Sequence, residues 1–407
     1  MLTLLALLAG ATTAPRVTIS APPRPLVAGK AWNATLVVKP APRKSPKVVA
    51  RPPSGRALVF GTKRAGRGRY KVRLVLPRTG RWTVSARVGH RLRSLRKVNV
   101  SAVPPPTSPF PGGTAYRVCG GSREPFLQYG MSIGYGSIWL ACRNQRAVQR
   151  VEPQTGRVLA TIPVSESVWT VTAGAGWVWA IALRGVAVQR IDPATNSVST
   201  PIQFPGTLTY AWAAGDTLWA ADDDGQRIIR IAGGTGAEAG RIPVGNGPAG
   251  FAFDGSFAWV LNHRENTLDR VEATTNSVTR MGTIPGGDQV AAERIAIFGG
   301  DLWITGRGLD LLRVSPANGS VLGRTEIGTG GIDVVTDGTN LWTVPYEAAA
   351  DARGEPIADA LLRVDGNGAV ASRVTPTRQF HADGVAAANG RLWLFDAVAG
   401  LLVRVPA

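Results

Sequence analysis

The sequence predicts an all-β protein, a seven-bladed β-propeller preceded by a small antiparallel β-sandwich. Three observations carry this. A tryptophan-centred motif recurs seven times through the larger, C-terminal part of the chain. The first hundred or so residues alternate apolar and polar positions in short runs. Helical apolar spacing free of Gly and Pro is never sustained for a dozen residues.

The repeats are Ser137-Ile-Trp139, Trp177-Val-Trp179, Thr217-Leu-Trp219, Phe257-Ala-Trp259, Asp301-Leu-Trp303, Asn340-Leu-Trp342 and Arg391-Leu-Trp393. Successive tryptophans lie 40, 40, 40, 44, 39 and 51 residues apart, the length of a four-stranded propeller blade. Blade four reads Ala249–Phe253 as strand A, Ala258–Asn262 as B, Thr267–Val271 as C and Ser277–Met281 as D. One four-stranded sheet cannot bury both of its faces, whereas sheets stacked around an axis can, with tryptophan filling the gaps between them. The last copy supplies only three strands. Residues 115–119 are strand-like and otherwise unassigned, so they are expected to close blade seven and remove an open sheet edge. Within 115–407, that closure would bring Cys119 to the ring seam near Cys142, where a disulfide is expected.

The copies resemble the YncE-like and streptogramin (virginiamycin B) lyase-like propellers. The stretches that carry the resemblance are Gln189-Arg-Ile-Asp-Pro-Ala-Thr-Asn-Ser-Val198, Ile242-Pro-Val-Gly-Asn-Gly-Pro248 and Trp259-Val-Leu-Asn-His-Arg-Glu-Asn-Thr-Leu268. The likeness implies the fold more than any one activity, because one fold hosts many.

Residues 15–103 contain strand-like runs such as Trp32–Val38, Tyr70–Leu76 and Trp82–Val88, separated by turns at 52–55 and 77–80. The stretch Gly68-Arg-Tyr to Gly80-Arg-Trp82 resembles a hairpin of bacterial immunoglobulin-like domains. Residues 104–114, rich in proline, are expected to form a semi-rigid linker. Residues 1–14, an apolar run followed by small residues, are expected to be an export signal. That places the protein outside the cell or in its envelope, where an isolated cysteine pair is usually a disulfide.

Charge is divided unevenly. Of 46 Lys and Arg, 22 lie between Arg16 and Lys97, where there is no Asp or Glu; all 27 acids lie further on. The net charge of +19 therefore belongs to the N-terminal part. So one-sided a field repels itself, and a bound polyanion would relieve it. An anionic polymer or membrane surface is the expected partner, ahead of nucleic acid.

Motifs of nucleotide and hydrolase chemistry are missing. Gly245-Asn-Gly-Pro-Ala-Gly250 has glycine-fingerprint spacing, but a strand follows it instead of a helix. Asp222-Asp-Asp-Gly225 reads as a turn, without the remaining ligands of a calcium loop. The ring's mouth, where D–A and B–C connections meet, is the expected site for a protein or small ligand. Glu166, Trp169, Tyr210, Asp222, Glu293, Arg294 and Asp333 are the expected ligand-binding residues. The lyase-like resemblance implies a histidine base and a divalent metal. On that alternative, His381 with Asp383, then His263 with Glu265, are the catalytic candidates. The leading expectation is an exported, monomeric, non-enzymatic recognition protein. A metal-assisted lyase or hydrolase is the alternative.

Overall fold

The computed structural model describes residues 15–120, 130–182, 185–285, 291–346, 358–388 and 390–406. The expected export segment lies outside them. The chain divides into two compact units after Pro104.

The first unit has eight strands: β1 (Arg16–Ile19), β2 (Ala31–Lys39), β3 (Lys47–Arg51), β4 (Leu58–Gly61), β5 (Lys63–Gly66), β6 (Arg69–Val75), β7 (Gly80–Val88) and β8 (Arg91–Val100). They form two antiparallel sheets, ordered β1-β2-β6-β5 and β4-β3-β7-β8. Alternation decides what is buried. In β6, Tyr70, Val72 and Leu74 are buried while Arg69, Lys71 and Arg73 face outward. Trp32, Trp82 and Tyr70 are the largest side chains of the shared core. The Trp82 indole donates to the Arg78 carbonyl at 2.9 Å, which satisfies its buried N–H.

The second unit is a seven-bladed β-propeller. Blade one runs through Met131–Gly134, Ser137–Cys142, Ala147–Val151 and Val158–Pro163, in the order A, B, C, D. Blade four takes Pro248–Phe253, Phe257–Asn262, Thr267–Glu272 and Val278–Thr283. Blades two and three are joined through one long strand, Ile202–Ala214. Its start pairs with strand C of blade two, and Leu208–Ala214 pairs as strand A of blade three.

All seven repeat tryptophans are 3% exposed or less. Each also stands directly across from an arginine on strand C. The pairs are Trp139–Arg150, Trp179–Arg190, Trp219–Arg230, Trp259–Arg270, Trp303–Arg313, Trp342–Arg363 and Trp393–Arg404. The guanidinium carbons of Arg150, Arg230 and Arg404 lie 5.1, 4.6 and 5.8 Å from their tryptophan centroids, within cation–π range. Strand-C guanidinium groups of this set also reach the next blade. Arg150 donates to the Pro193 carbonyl (2.6 Å), Arg190 to Gly233 (2.9 Å) and Arg230 to Ala273 (2.9 Å), each a C–D turn one blade on. Glycine is needed where blades pinch: a Cβ on Gly134 would lie 2.6 Å from the Ala173 Cβ of blade two.

The ring closes with Thr114–Arg117, which pairs antiparallel with Leu401–Arg404 as the outer strand of blade seven. At this seam Tyr116 stacks on Trp393 with centroids 6.2 Å apart, and Arg404 donates to the Gln154 carbonyl of blade one at 2.9 Å. Cys119 and Cys142 are bonded, with Cα atoms 5.2 Å apart. The expected linker is shorter than its proline content suggests. Phe110 is 1% exposed and sits edge-on to Phe380 at 5.2 Å, so this segment packs on the propeller. Thr377 donates to the Pro109 carbonyl beside it.

Two outcomes follow for stability. Replacing Cys119 and Cys142 by Ser opens a 23-residue loop and should cost about 3 kcal/mol in denaturant unfolding. Arg230→Met keeps aliphatic cover over Trp219 but removes the bonds to Ala273 and to the Asn276 side chain. It should lower stability by about 2 kcal/mol, read from the unfolding midpoint.

Candidate functional site

The seven A strands enclose a central channel of about 520 Å³. Most of its lining is small. The residue of strand A that faces the repeat tryptophan across the ladder is Ser132, Thr172, Ala252, Ala296, Val335 or Ala386 in six blades. In blade three it is Trp212, paired with Trp219. Trp212 lines the channel and packs on Phe251 of blade four, ring centroids 4.5 Å apart. Tyr210 lies beside it, at 6.2 Å.

Level with Tyr210 in the ladder, two residues before the Trp212 position on strand A, stands a group of charges. Arg294, on strand A of blade five, is 3% exposed. Its Nε is 3.8 Å from Asp333 Oδ1 and its Nη1 is 3.9 Å from Glu293 Oε2. Nη1 also donates to the Glu293 carbonyl at 3.0 Å. Arg294 and Asp333 both line the channel. Burial pushes the Asp333 carboxyl up to about 6, against the opposing pull of Arg294. Burial likewise pushes the phenols of Tyr210 and Tyr346 up to about 12, with Arg294 and Glu293 acting on both. Both tyrosines therefore stay protonated hydrogen-bonding groups. The mouth thus combines an aromatic wall, two carboxylates, a buried guanidinium and two phenols.

The structure divides the residues expected at the mouth. Tyr210, Glu293, Arg294 and Asp333 come together. Glu166 is exposed on the connection into blade two and lines a small recess with Gln189. Trp169 lies under the Arg143 guanidinium at 5.7 Å. Asp222 is not placed to meet a ligand. It is fully buried, takes Nε and Nη2 of Arg227 at 2.8 and 2.7 Å, and accepts the backbone N–H groups of Thr207 and Gly225. This carboxylate holds the B–C turn together, as Asp269 and Asp310 serve neighbouring connections in blades four and five.

The histidines also differ from expectation. His263 Nε2 lies 3.7 Å from Asp223 of the preceding blade, whereas Glu265 engages Arg280 at 3.4 Å. The expected His263–Glu265 pair is therefore replaced by a contact between blades. In blade seven, Asp383 accepts the Ala397 N–H at 2.8 Å, and the backbone N–H of His381 donates to Asp396 at 3.3 Å. Among the described residues, no group of three or more His, Cys, Asp or Glu side chains is arranged to hold a metal ion. Asp223 of the acidic turn is engaged by Arg264 at 2.5 Å. The segment Gly245–Gly250 leads into a strand, as its sequence context implies.

Sequence reasoning missed Trp212, Phe251 and Tyr346. Trp212 had a signal: seven positions before each of six repeat tryptophans stands a small or β-branched residue, and before the seventh a tryptophan. Tyr346 had none, since it lies outside the repeated motif.

Fold and channel together define a seven-bladed β-propeller carried on the same chain as a basic two-sheet unit. No protein-family model and no curated protein matches the chain. Solved structures do. A chain of the mitotic checkpoint complex is similar with a TM-score of 0.59 and 12% identity, over 76% of this chain and 99% of that one. Hydrazine synthase of Kuenenia stuttgartiensis gives 0.54 and 11%, over 71% and 98%. The computationally designed Ika8 protein gives 0.52 and 10%, over 90% and 98%. Identities this low speak for the fold alone.

The Asp333 shift fixes a pH dependence. Its folded value, about 6, exceeds the ordinary 3.8. Between those values the native state holds a proton that the unfolded chain has released. Stability from this group is therefore full below pH 4 and lost as pH rises through about 6, by about 3 kcal/mol. Asp333→Asn should remove that slope. In paired denaturant melts, the variant should gain on the wild type by more at pH 7 than at pH 4.5.

Proposed function

We propose that this is an exported recognition protein whose propeller mouth binds a small polar ligand while the basic unit holds an anionic surface. The observation that carries the ligand site is Trp212. Of the seven strand-A residues that face a repeat tryptophan it alone is large, and the next same-face level of the same channel carries Arg294 and Asp333, with Glu293 against Arg294. Carboxylates accept from hydroxyl or amine donors, the guanidinium donates, and an indole covers an apolar face. That combination suits a polyhydroxylated or amino-bearing ring.

Other features support the rest. The disulfide suits an oxidising compartment. The sheet orders of the first unit, β1-β2-β6-β5 and β4-β3-β7-β8, support the reading of an immunoglobulin-like sandwich, whose sheets run A-B-E-D and C′-C-F-G. The YncE-like and lyase-like resemblance agrees with the propeller and does not require catalysis. A metal-assisted reaction has no supporting side-chain cluster among the described residues.

The test is a thermal-shift screen of neutral sugars, amino sugars and polyamines on the full chain and on Trp212→Ala. At least one compound should raise the wild-type melting temperature by several degrees and leave the variant unmoved. A shift of equal size in both proteins, or none in the wild type, refutes the mouth as the site.

A further inference from the structure

The sheet β1-β2-β6-β5 turns an unusual face outward. Arg69, Lys71 and Arg73 are its exposed residues on β6. Register sets Arg16 against Lys39, Asn33 against Arg73, and Lys63 against Lys71. Six cations thus occupy one face, and Lys63 and Lys71 stand directly opposite each other, an arrangement that is destabilising unless something neutralises it. No residue from Arg16 to Lys97 is acidic, so the unit contains no carboxylate to do so. A groove of about 680 Å³ crosses this face, and Asn33, Thr35, Thr62, Lys63, Lys71 and Arg73 are among its lining residues.

The spacing narrows the partner. Same-face residues on a strand are about 6.7 Å apart, so Arg69, Lys71 and Arg73 form a ladder matched to an extended polymer with one charge per repeat of that length. Single-stranded nucleic acid would be gripped by stacking on exposed rings. Here Trp32, Tyr70 and Trp82 are buried, Phe60, the unit's remaining Phe, Tyr or Trp, packs against the core, and the exposed His90 lies between β7 and β8 on the other sheet. Asparagine and threonine side chains between the cations offer hydrogen bonds to uncharged hydroxyl groups instead. We infer that this groove binds a linear phosphodiester polymer without bases, of the poly(glycerol phosphate) kind, with Lys71 and Arg73 on successive phosphates and Lys63, across from Lys71, on the same phosphate as its neighbour. The inference rests on the proposal that the basic unit holds an anionic surface, and it names the site and the polymer.

The experiment measures binding of the full chain to immobilised poly(glycerol phosphate) across a salt series. The groove variant carries Lys63→Gln, Lys71→Gln and Arg73→Gln. A control carries Arg24→Gln, Lys30→Gln and Arg56→Gln, three exposed cations elsewhere on the unit. The groove variant should bind at least about tenfold more weakly, with a salt slope shallower by about two, while the control stays within about threefold of wild type. Its melting temperature should hold or rise, since a like-charge pair is gone, which separates lost binding from lost folding. Equal losses in both variants, or none in the groove variant, overturn the groove as the site while leaving the tether standing. Wild-type binding to anionic phospholipid vesicles as tight as to the polymer, and equally sensitive to the groove changes, replaces the polymer by a membrane. Failure of the wild type to bind either probe overturns the tether itself.

Discussion

The propeller depends on one cross-strand pair used seven times, tryptophan on strand B and arginine on strand C. The indole fills the wedge between blades. The arginine lies over that indole in blades one, three, four, five and seven and, at four of the seven positions, donates to a carbonyl in the C–D turn of the next blade. Apolar burial alone is non-directional and would let neighbouring sheets slide. A charge-assisted bond to a single carbonyl fixes their rotation, and repetition fixes the radius of the ring. The channel width follows from that radius, so the spacing of Arg294, Asp333 and Trp212 is set by contacts made on the far side of each sheet.

Within that frame the mouth accepts an electrostatic cost. Arg294 is almost wholly buried between two carboxylates at distances near 4 Å, longer than a tight ion pair. The turn aspartates follow the opposite logic. Asp222 and Asp269 have close donors on several sides and hold their turns shut. The same residue type therefore acts as a brace in one place and, as Asp333, lines the channel in another.

That contrast explains how much the sequence could disclose. The tryptophan period was legible because a bulky residue at a fixed interval has few other uses. The closing strand was legible because blade seven lacked one and the segment before blade one was unassigned. The arginines were equally regular, mostly eleven positions after each tryptophan, yet a solvent-facing arginine on a strand is ordinary until register shows it against an indole. Asp222 and Glu265 were misassigned for a related reason. A carboxylate in a B–C connection can face the axis or fold back on its own turn, and local sequence does not distinguish the two. His263 finds its carboxylate in another blade, at a separation no motif encodes. In the first unit, alternation gave the strands directly, because every second residue had to be apolar to meet a single core.

The seam carries a temporal consequence. Arg404 and Gln154 are 250 positions apart, and blade seven is complete only when its own strands meet a strand that precedes blade one. Six blades can stack as the chain emerges, but each intermediate is an open arc with an exposed edge at either end. Contacts this distant in sequence form late and slowly. The Cys119–Cys142 link spans only the first blade, so it is available long before the circle is finished. It moors the leading segment beside the place where the trailing strands will arrive, turning the final step into the docking of one free end onto a fixed berth.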